Sequence, residues 1–454
     1  MWLATVMPVD DSRRVSTALG ALFGLAAMGS ASAAVALPDI GRHFDVGIGA
    51  ATWTISLYAL LLAVTTAVYG RVSDLVGVRG PLLVGIGLMA GGAVLAALAP
   101  TYGVLLVGRA FQGAGAAAVP TLGVTLLSAR YDGGVRDLAL GRLAGASAVL
   151  ASMGPLLGGL AEAAFGWRAV LLLPALGVLV VPFIWHTLTG EGSGADLDII
   201  GAVLVATTAA GLVLLIQSPA TGAIVAAIGL VLMLVGVPLV WGQVRRRPDG
   251  FLPVAVIRNS VVVRSAAAAA AVPAAWFGML IAVPAVLVAD GWEPWQVGLL
   301  LLPSAGVALV IPRVTGPLLT RVGASRALAI SATSASVALL VCAVGAVWDQ
   351  PVVLAVSVLG VTFAFLLGQP AMSAAVGSAV DGSVRGVALG VATLVFMTGG
   401  SVGSAVVGGI GAALTIGASL ALLALLPLAG VAVLSPLLRR PDPVAVGATE
   451  AVTD

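Results

Sequence analysis

Lysine is missing from the 454-residue chain; all 21 basic residues are arginine. Charge of either sign is scarce, at 9% of residues against the roughly 25% of a soluble protein. The formal balance is only +2, and no basic stripe stands outside the loops, which excludes a nucleic-acid partner. A single cysteine, Cys342, rules out an intrachain disulfide and a cysteine metal site; lying in an apolar segment, it reads as a buried, inert thiol. Histidine occurs twice, at His43 and His186. No H-E-x-x-H, G-x-S-x-G or phosphate-cradling P-loop is present, so the chain is read as no enzyme, with no metal, no cofactor and no internal ATP drive.

What remains is apolar. Hydrophobic residues make up 60% of the chain and the mean hydropathy is +1.15. The apolar runs are about 20 residues long, the length of a membrane helix rather than of a barrel strand. The expected fold is therefore an all-α membrane protein. Fourteen spans are read, near 17–37, 50–69, 80–99, 102–128, 139–162, 168–186, 199–217, 222–242, 264–288, 295–315, 327–347, 351–376, 386–410 and 415–436. With this count, eighteen arginines fall on one set of loops and tails. Only Arg42 and Arg168 fall on the other, and Arg109 lies inside a span. The positive-inside rule then places both termini in the cytoplasm of a multi-pass inner (plasma) membrane protein. Arg13, Arg14 and the run ending Ala31-Ser-Ala33 have the look of a signal peptide, but the apolar run continues to Pro38 and is read as a retained first span.

Two polar stretches divide the chain. The loop at 190–198 is glycine-rich, and Arg245-Arg-Arg-Pro-Asp-Gly250 leads on to Asn259. The layout is a six-helix bundle (1–190), two additional helices with a linker (191–258), a second six-helix bundle (259–440) and a polar tail (441–454) read as disordered and cytoplasmic. A weak repeat supports the duplication: Gly70-Arg-Val-Ser-Asp-Leu-Val-Gly-Val-Arg79 follows the second span, and Gly316–Arg326 follows the second span of the last six. One stretch, Gly141 to Gly159, carries five glycines and Pro155 inside an apolar run. Glycine and proline weaken a helix in water but are tolerated in a membrane where neighbours pack closely. Either a close-packed helix or the bent helix of a rocking transporter fits.

At these residues the chain resembles the major facilitator superfamily, and within it the fourteen-span drug:proton antiporters. The implied fold is the major facilitator fold, two six-helix bundles with two intervening helices. Gly70, Asp74, Gly77 and Arg79 match the loop between spans two and three, beside Arg71, with Val78 where a basic residue is common. The resemblance gives this loop a gating role. Arg109, Gln112 and Gly113 match the fourth-span motif R-x-x-Q-G, which implies a part in proton coupling; a charge inside a span usually faces the bundle interior or a water-filled cavity. Gly141, Gly154, Pro155, Gly158 and Gly159 match the fifth-span motif of exporters, with Leu150 in place of its middle glycine. The first span departs from the family: Gly29 stands where an aspartate is usual and Ala34 where an asparagine is usual. In the second repeat loop Thr320 replaces an aspartate.

The resemblance implies a secondary transporter that exports a hydrophobic or amphipathic drug or natural product by alternating access, coupled to protons. An importer, a facilitator without proton coupling and a non-transporting sensor are the alternatives. The expected partners are a small-molecule substrate, protons and the lipid bilayer, with the chain a monomer. Glu162, near the outer end of the fifth span, and Asp39, after Pro38, are the carboxyls best placed to carry a proton. Cavity candidates are Ser30, Ser32, Met153, Trp276, Phe365, Gln369 and Met397, with Gln112. Without an acid in the first span, and with Arg109 inside, a neutral or anionic substrate fits better than a strongly cationic one.

Overall fold

The computed structural model describes residues 9–188, 198–248, 250–380 and 382–439. Among them, thirteen helices are long and apolar enough to cross a membrane, and a bent pair makes up to fourteen. In chain order these spans are α1 (Asp11–Val35), α2 (Gly49–Gly70), α3 (Arg79–Ala97), α4 (Tyr102–Arg130), α5 (the pair Leu138–Ser152 and Gly154–Phe165), α6 (Trp167–Thr187) and α7 (Ile199–Pro219). They continue as α8 (Ala223–Arg246), α9 (Ser260–Ala289), α10 (Pro294–Ile311), α11 (Ala324–Val347), α12 (Pro351–Ser378), α13 (Val387–Ala413) and α14 (Ile416–Leu438). No strand occurs among the described residues.

Several helices start where the sequence supplies an acceptor for their free N–H groups. Thr101 caps α4, Asp198 α7, Asn259 α9 and Thr415 α14. Gly77 ends the helix of α2 with φ 80°, and Gly323 ends the helix of α10 with φ 83°; each donates its N–H to the carbonyl four residues back at 3.0 Å. The repeat seen in the sequence is thus also a repeat of backbone conformation, one that favours glycine.

Contacts between helix ends agree with alternation among α1, α2, α4 and α6, and between α9 and α12. At the arginine-rich face Arg130 reaches Asp11 at 2.7 Å, and the Asn259 amide donates to the Ala379 carbonyl at 2.8 Å. At the arginine-poor face the Tyr102 hydroxyl donates to the Ala50 carbonyl at 2.7 Å, and Arg168 lies 3.2 Å from His43. Trp241 and Trp348 sit exposed at helix ends, with Arg245 stacked 5.1 Å from the Trp241 ring, as expected of interfacial anchors.

The early spans pack in the pairs α1–α5, α3–α4 and α2–α4, and the late ones in α9–α13, α11–α12 and α9–α12. α9 is the most buried span and α8 the least; α8 packs on α7 and turns its other side outward. The largest core cluster spans both groups. All its fully buried contributors from the first group, Ala31, Ala34, Leu37, Ala51, Ile55 and Ala59, lie toward the arginine-poor face. The early and late helices are therefore closed against each other on that side.

Candidate functional site

The Gly141–Gly159 stretch is bent by 42° at Met153. Beyond the bend its glycines are contact surfaces. A Cβ on Gly154 would meet Ala31 Cβ at 2.7 Å, and one on Gly158 would meet Ser32 Cβ at 2.7 Å. A Cβ on Gly159 would run into the backbone of Pro294 and Trp295, and one on Gly298 into Pro155 and Leu156. The second half of α5 thus lies backbone-to-backbone on the start of α10, the close approach that small residues permit. Gly141 and Gly145, before the bend, face open space instead.

Behind this contact lies a cavity between early and late helices, lined by Ala31, Ala151, Ser152, Pro155, Trp276, Met279, Leu280, Leu301, Ser304, Val358 and Val361. Its volume is about 20 Å³, room for a water or so and not for a drug. Trp276 is the one cavity candidate from the sequence that lines it. Phe365 stacks on Trp276 at 5.4 Å and on Phe396 at 5.7 Å, so it backs the wall. Met153 sits at the bend, and Gln369 and Met397 are half-buried. Ser32 donates to its own helix at the Met28 carbonyl, 2.7 Å away, and Ser30 is buried beside Tyr58; neither lines the cavity, where their neighbour Ala31 does.

Arg109 is fully buried. Its Nε donates to the Thr54 carbonyl at 2.7 Å, its Nη1 donates to Gln112 Oε1, and its guanidinium lies 4.5 Å from the centre of the Tyr58 ring. Gln112 in turn donates to the Leu171 carbonyl at 3.4 Å. Nη2 has no hydrogen-bond partner among the described residues. The charge is held by a carbonyl, an amide and an aromatic face, without a carboxylate. Gly29 faces the same Tyr58: a Cβ there would lie 3.4 Å from the Tyr58 hydroxyl and 3.0 Å from Pro174 Cγ.

Glu162 is 6% exposed, and neither carboxyl oxygen has a hydrogen-bond partner among the described residues. The charged side chains around it are Asp39, Arg42 and Glu293. Asp39 is half-buried and pairs with Arg42, because the short helix Leu37–Phe44 folds it back toward α5. Arg168, the counter-charge that sequence proximity would offer Glu162, instead stacks 4.4 Å from the Trp167 ring and meets His43.

In the loop after α2, Gly70 lies near Thr121, Gly77 forms the turn, and Arg79 is exposed and stacks 4.4 Å from the Trp185 ring. The side chains of Arg71 and Asp74, expected in the gate, lie outside the described residues, as do the boundary at 190 and the tail at 441–454.

Sequence reasoning passed over two polar centres. Asp198 joins the start of α7, the end of α8 and the loop after it, accepting from Gly201 N–H at 3.0 Å, Gln243 Nε2 at 2.8 Å and Phe251 N–H at 3.1 Å. Burial alone would raise its pKa, but these donors and nearby Arg247 hold the carboxyl below its ordinary value. The second centre surrounds Gln217, the one side-chain amide in a mostly apolar helix. That contrast was its only signal in the sequence.

Among known proteins, the chain is similar to Multidrug resistance protein Stp of Mycobacterium tuberculosis, 33% identical over 302 residues that cover 64% of this chain and 56% of that one. It is also similar to Efflux pump dotC of Dothistroma septosporum, 32% identical over 154 residues, 34% of this chain and 26% of the pump. The matched region spans little more than half the length of the first of these relatives and about a quarter of the second. Among solved structures, a peptide transporter of the POT type in complex with sulfate superposes with a TM-score of 0.69 at 16% identity, covering 96% of each chain, a likeness of fold. The family model described as Major Facilitator Superfamily matches residues 19–404, and the chain belongs to that superfamily.

Proposed function

We propose that the chain exports a hydrophobic or amphipathic drug or natural product across the plasma membrane by alternating access, driven by protons. The observation that carries the reading is the small cavity between early and late helices. It is apolar and aromatic, sealed on one side by the α5–α10 glycine contact, and too small for substrate until the halves move apart. The names of the relatives, a multidrug resistance protein and an efflux pump, support the direction. The arginine-rich face is taken as cytoplasmic, so the seal lies on the outer side.

Glu162 is the proposed proton carrier. A carboxyl buried between packed helices beside a second carboxyl, Asp39, is placed to gain and lose a proton, and parting of α5 from α10 would give it water. Asp39 beside it is the neighbour through which a proton would arrive. Arg109 acts differently: a buried cation without a carboxylate disfavours a second cation nearby, so the substrate is neutral or anionic.

The test is uptake into inverted vesicles with and without a pH gradient. Substrate accumulation that collapses with the gradient, and that Glu162→Gln abolishes, is the expected result. Equilibration without accumulation, indifferent to the gradient, would instead make the chain an uncoupled facilitator, a reading that Gly29 in place of an acid favours.

A further inference from the structure

The inserted pair α7 and α8 has no part in the reading above, yet α7 ends inside the outer seal. Gln217 is fully buried. Its Nε2 donates to Thr52 Oγ1 at 2.9 Å and to Ser56 Oγ at 3.1 Å, both on the early helices. The Ser56 hydroxyl lies 2.8 Å from that of Ser404 on α13. Thr52 and Ser404 donate their own protons to the carbonyls of Gly49 and Ser401. One amide from the inserted pair thus touches the first bundle directly and the second through Ser56.

The backbone is shaped to admit it. α13 makes a π-turn at Val406–Ile410, a deviation found mostly at functional sites. The turn presents Gly408, where a Cβ would overlap Thr52 Oγ1, and Gly409, where a Cβ would lie 2.8 Å from Gln217 Cα. Each hydroxyl keeps a carbonyl of its own helix, but parting takes the Thr52 and Ser56 acceptors from the Gln217 amide in an apolar interior, where a lost hydrogen bond is costly. Opening the arginine-poor side draws α2 away from α13, so the cluster must break for the outer gate to open.

We propose that Gln217 is a conformational latch, through which the inserted helix pair holds the outer side shut. The proposal rests on the alternating-access reading. It also explains what the two additional helices contribute, which is to set the balance between closed and open outer gate.

The latch is read from the labelling rate of a cysteine buried in the seal, since that rate scales with the open fraction even when opening is rare. Leu37→Cys suits this, because Leu37 is 4% exposed and belongs to the shared core. Cys342→Ala removes the native thiol. With an impermeant maleimide added from the outer side, Gln217→Leu is expected to raise the rate roughly tenfold, the worth of about one to two buried hydrogen bonds. Ser56→Ala should act in the same direction. Thr208→Val, on the same helix but against Gly236 of α8, should leave the rate unchanged. A wild-type rate in Gln217→Leu, or an equal rise in Thr208→Val, overturns the latch. If Gln217→Leu does not fold, Ser56→Ala decides, and an unchanged rate there overturns it. Failure of the transport reading would show separately, as wild-type vesicles that move no substrate while the labelling contrast persists.

Discussion

Replacing Asp198 tests the account of how the inserted pair is fastened. Its two oxygens serve three donors: Oδ1 accepts from Gly201 N–H and from Gln243, and Oδ2 accepts from Phe251 N–H. Asp198→Asn keeps the shape but turns one oxygen into a donor. If the amide nitrogen takes the Oδ2 position, it faces the Phe251 N–H. If it takes the Oδ1 position, Gln243 can flip to accept, but the Gly201 N–H is orphaned. Either way one backbone donor loses its acceptor and the remaining bonds lose their charge, a cost of about 2–3 kcal/mol. Asp198→Ala removes all three bonds and should cost about 4 kcal/mol.

The chain provides its own assay. Cys342 is the only cysteine and is fully buried, so a thiol-reactive fluorogenic dye reports unfolding and nothing else. The expected melting order in detergent, from highest to lowest, is wild type, then Asp198→Asn, then Asp198→Ala, with steps of several degrees. The pH dependence has a definite sign. The folded carboxyl titrates below its ordinary value, so its contribution is complete above the unfolded pKa of roughly 4 and is lost as pH falls through the folded one. The gap between wild type and Asp198→Asn should therefore narrow below about pH 4, where tryptophan fluorescence replaces the dye because the dye needs the thiolate. Equal melting of the two proteins, or a gap that does not change with pH, would refute the reasoning.

Other predictions concern the transport path. Arg109→Met removes a buried charge that has no carboxylate partner, so melting should be unchanged or higher while transport falls more than tenfold; a lower melting temperature would make the residue structural. Gly159→Ala sets a methyl group against the Pro294 and Trp295 backbone, and transport should fall at least tenfold as α5 is wedged from α10, whereas Gly141→Ala, facing open space, should leave it near wild type. Gly29→Asp places a carboxyl beside Tyr58 and near the Arg109 cluster. It should shift the preference in a vesicle efflux panel from anionic toward cationic dyes, with Gly29→Asn as the uncharged control.

The sequence was most legible where a feature is local. Span lengths follow from apolar runs, although the caps Thr101, Asn259 and Thr415 were not read from the sequence. The repeated turns follow from Gly77 and Gly323, which take the same backbone conformation. Arg109 was legible because a charge in an apolar run has no other reading than burial or snorkelling, and it is buried. The site was less legible because its contacts join distant segments. Serine in a membrane helix looks like a cavity group, yet Ser32 bonds the turn before it, as hydroxyls in helices often do. Glu162 looked near Arg168 in sequence, but a helical turn sends Arg168 to His43 and a short helix brings Asp39 in its place. Gln217 gave no hint of its partners, since Thr52 and Ser56 lie 165 and 161 residues earlier.

The outer seal combines two chemistries that resist separation differently. Between α5 and α10 the contact is glycine against backbone, held by dispersion, which loses roughly a quarter to a half of its well over a gap of about 0.5–1 Å. Among α2, α7 and α13 the contact is a chain of directional hydrogen bonds at 2.8–3.1 Å, which holds until geometry is lost near roughly 3.5 Å. The hydrogen bonds have only about 0.4–0.7 Å of stretch before that limit, so a small rocking motion loosens the glycine contact and the polar cluster over similar distances. On the proposed reading, the movement that parts α5 from α10 and wets Glu162 is the same one that breaks the Gln217 cluster. Exchange of a proton at Glu162 would then be tied to the same step as opening of the arginine-poor side, which is the coupling the proposed exporter needs.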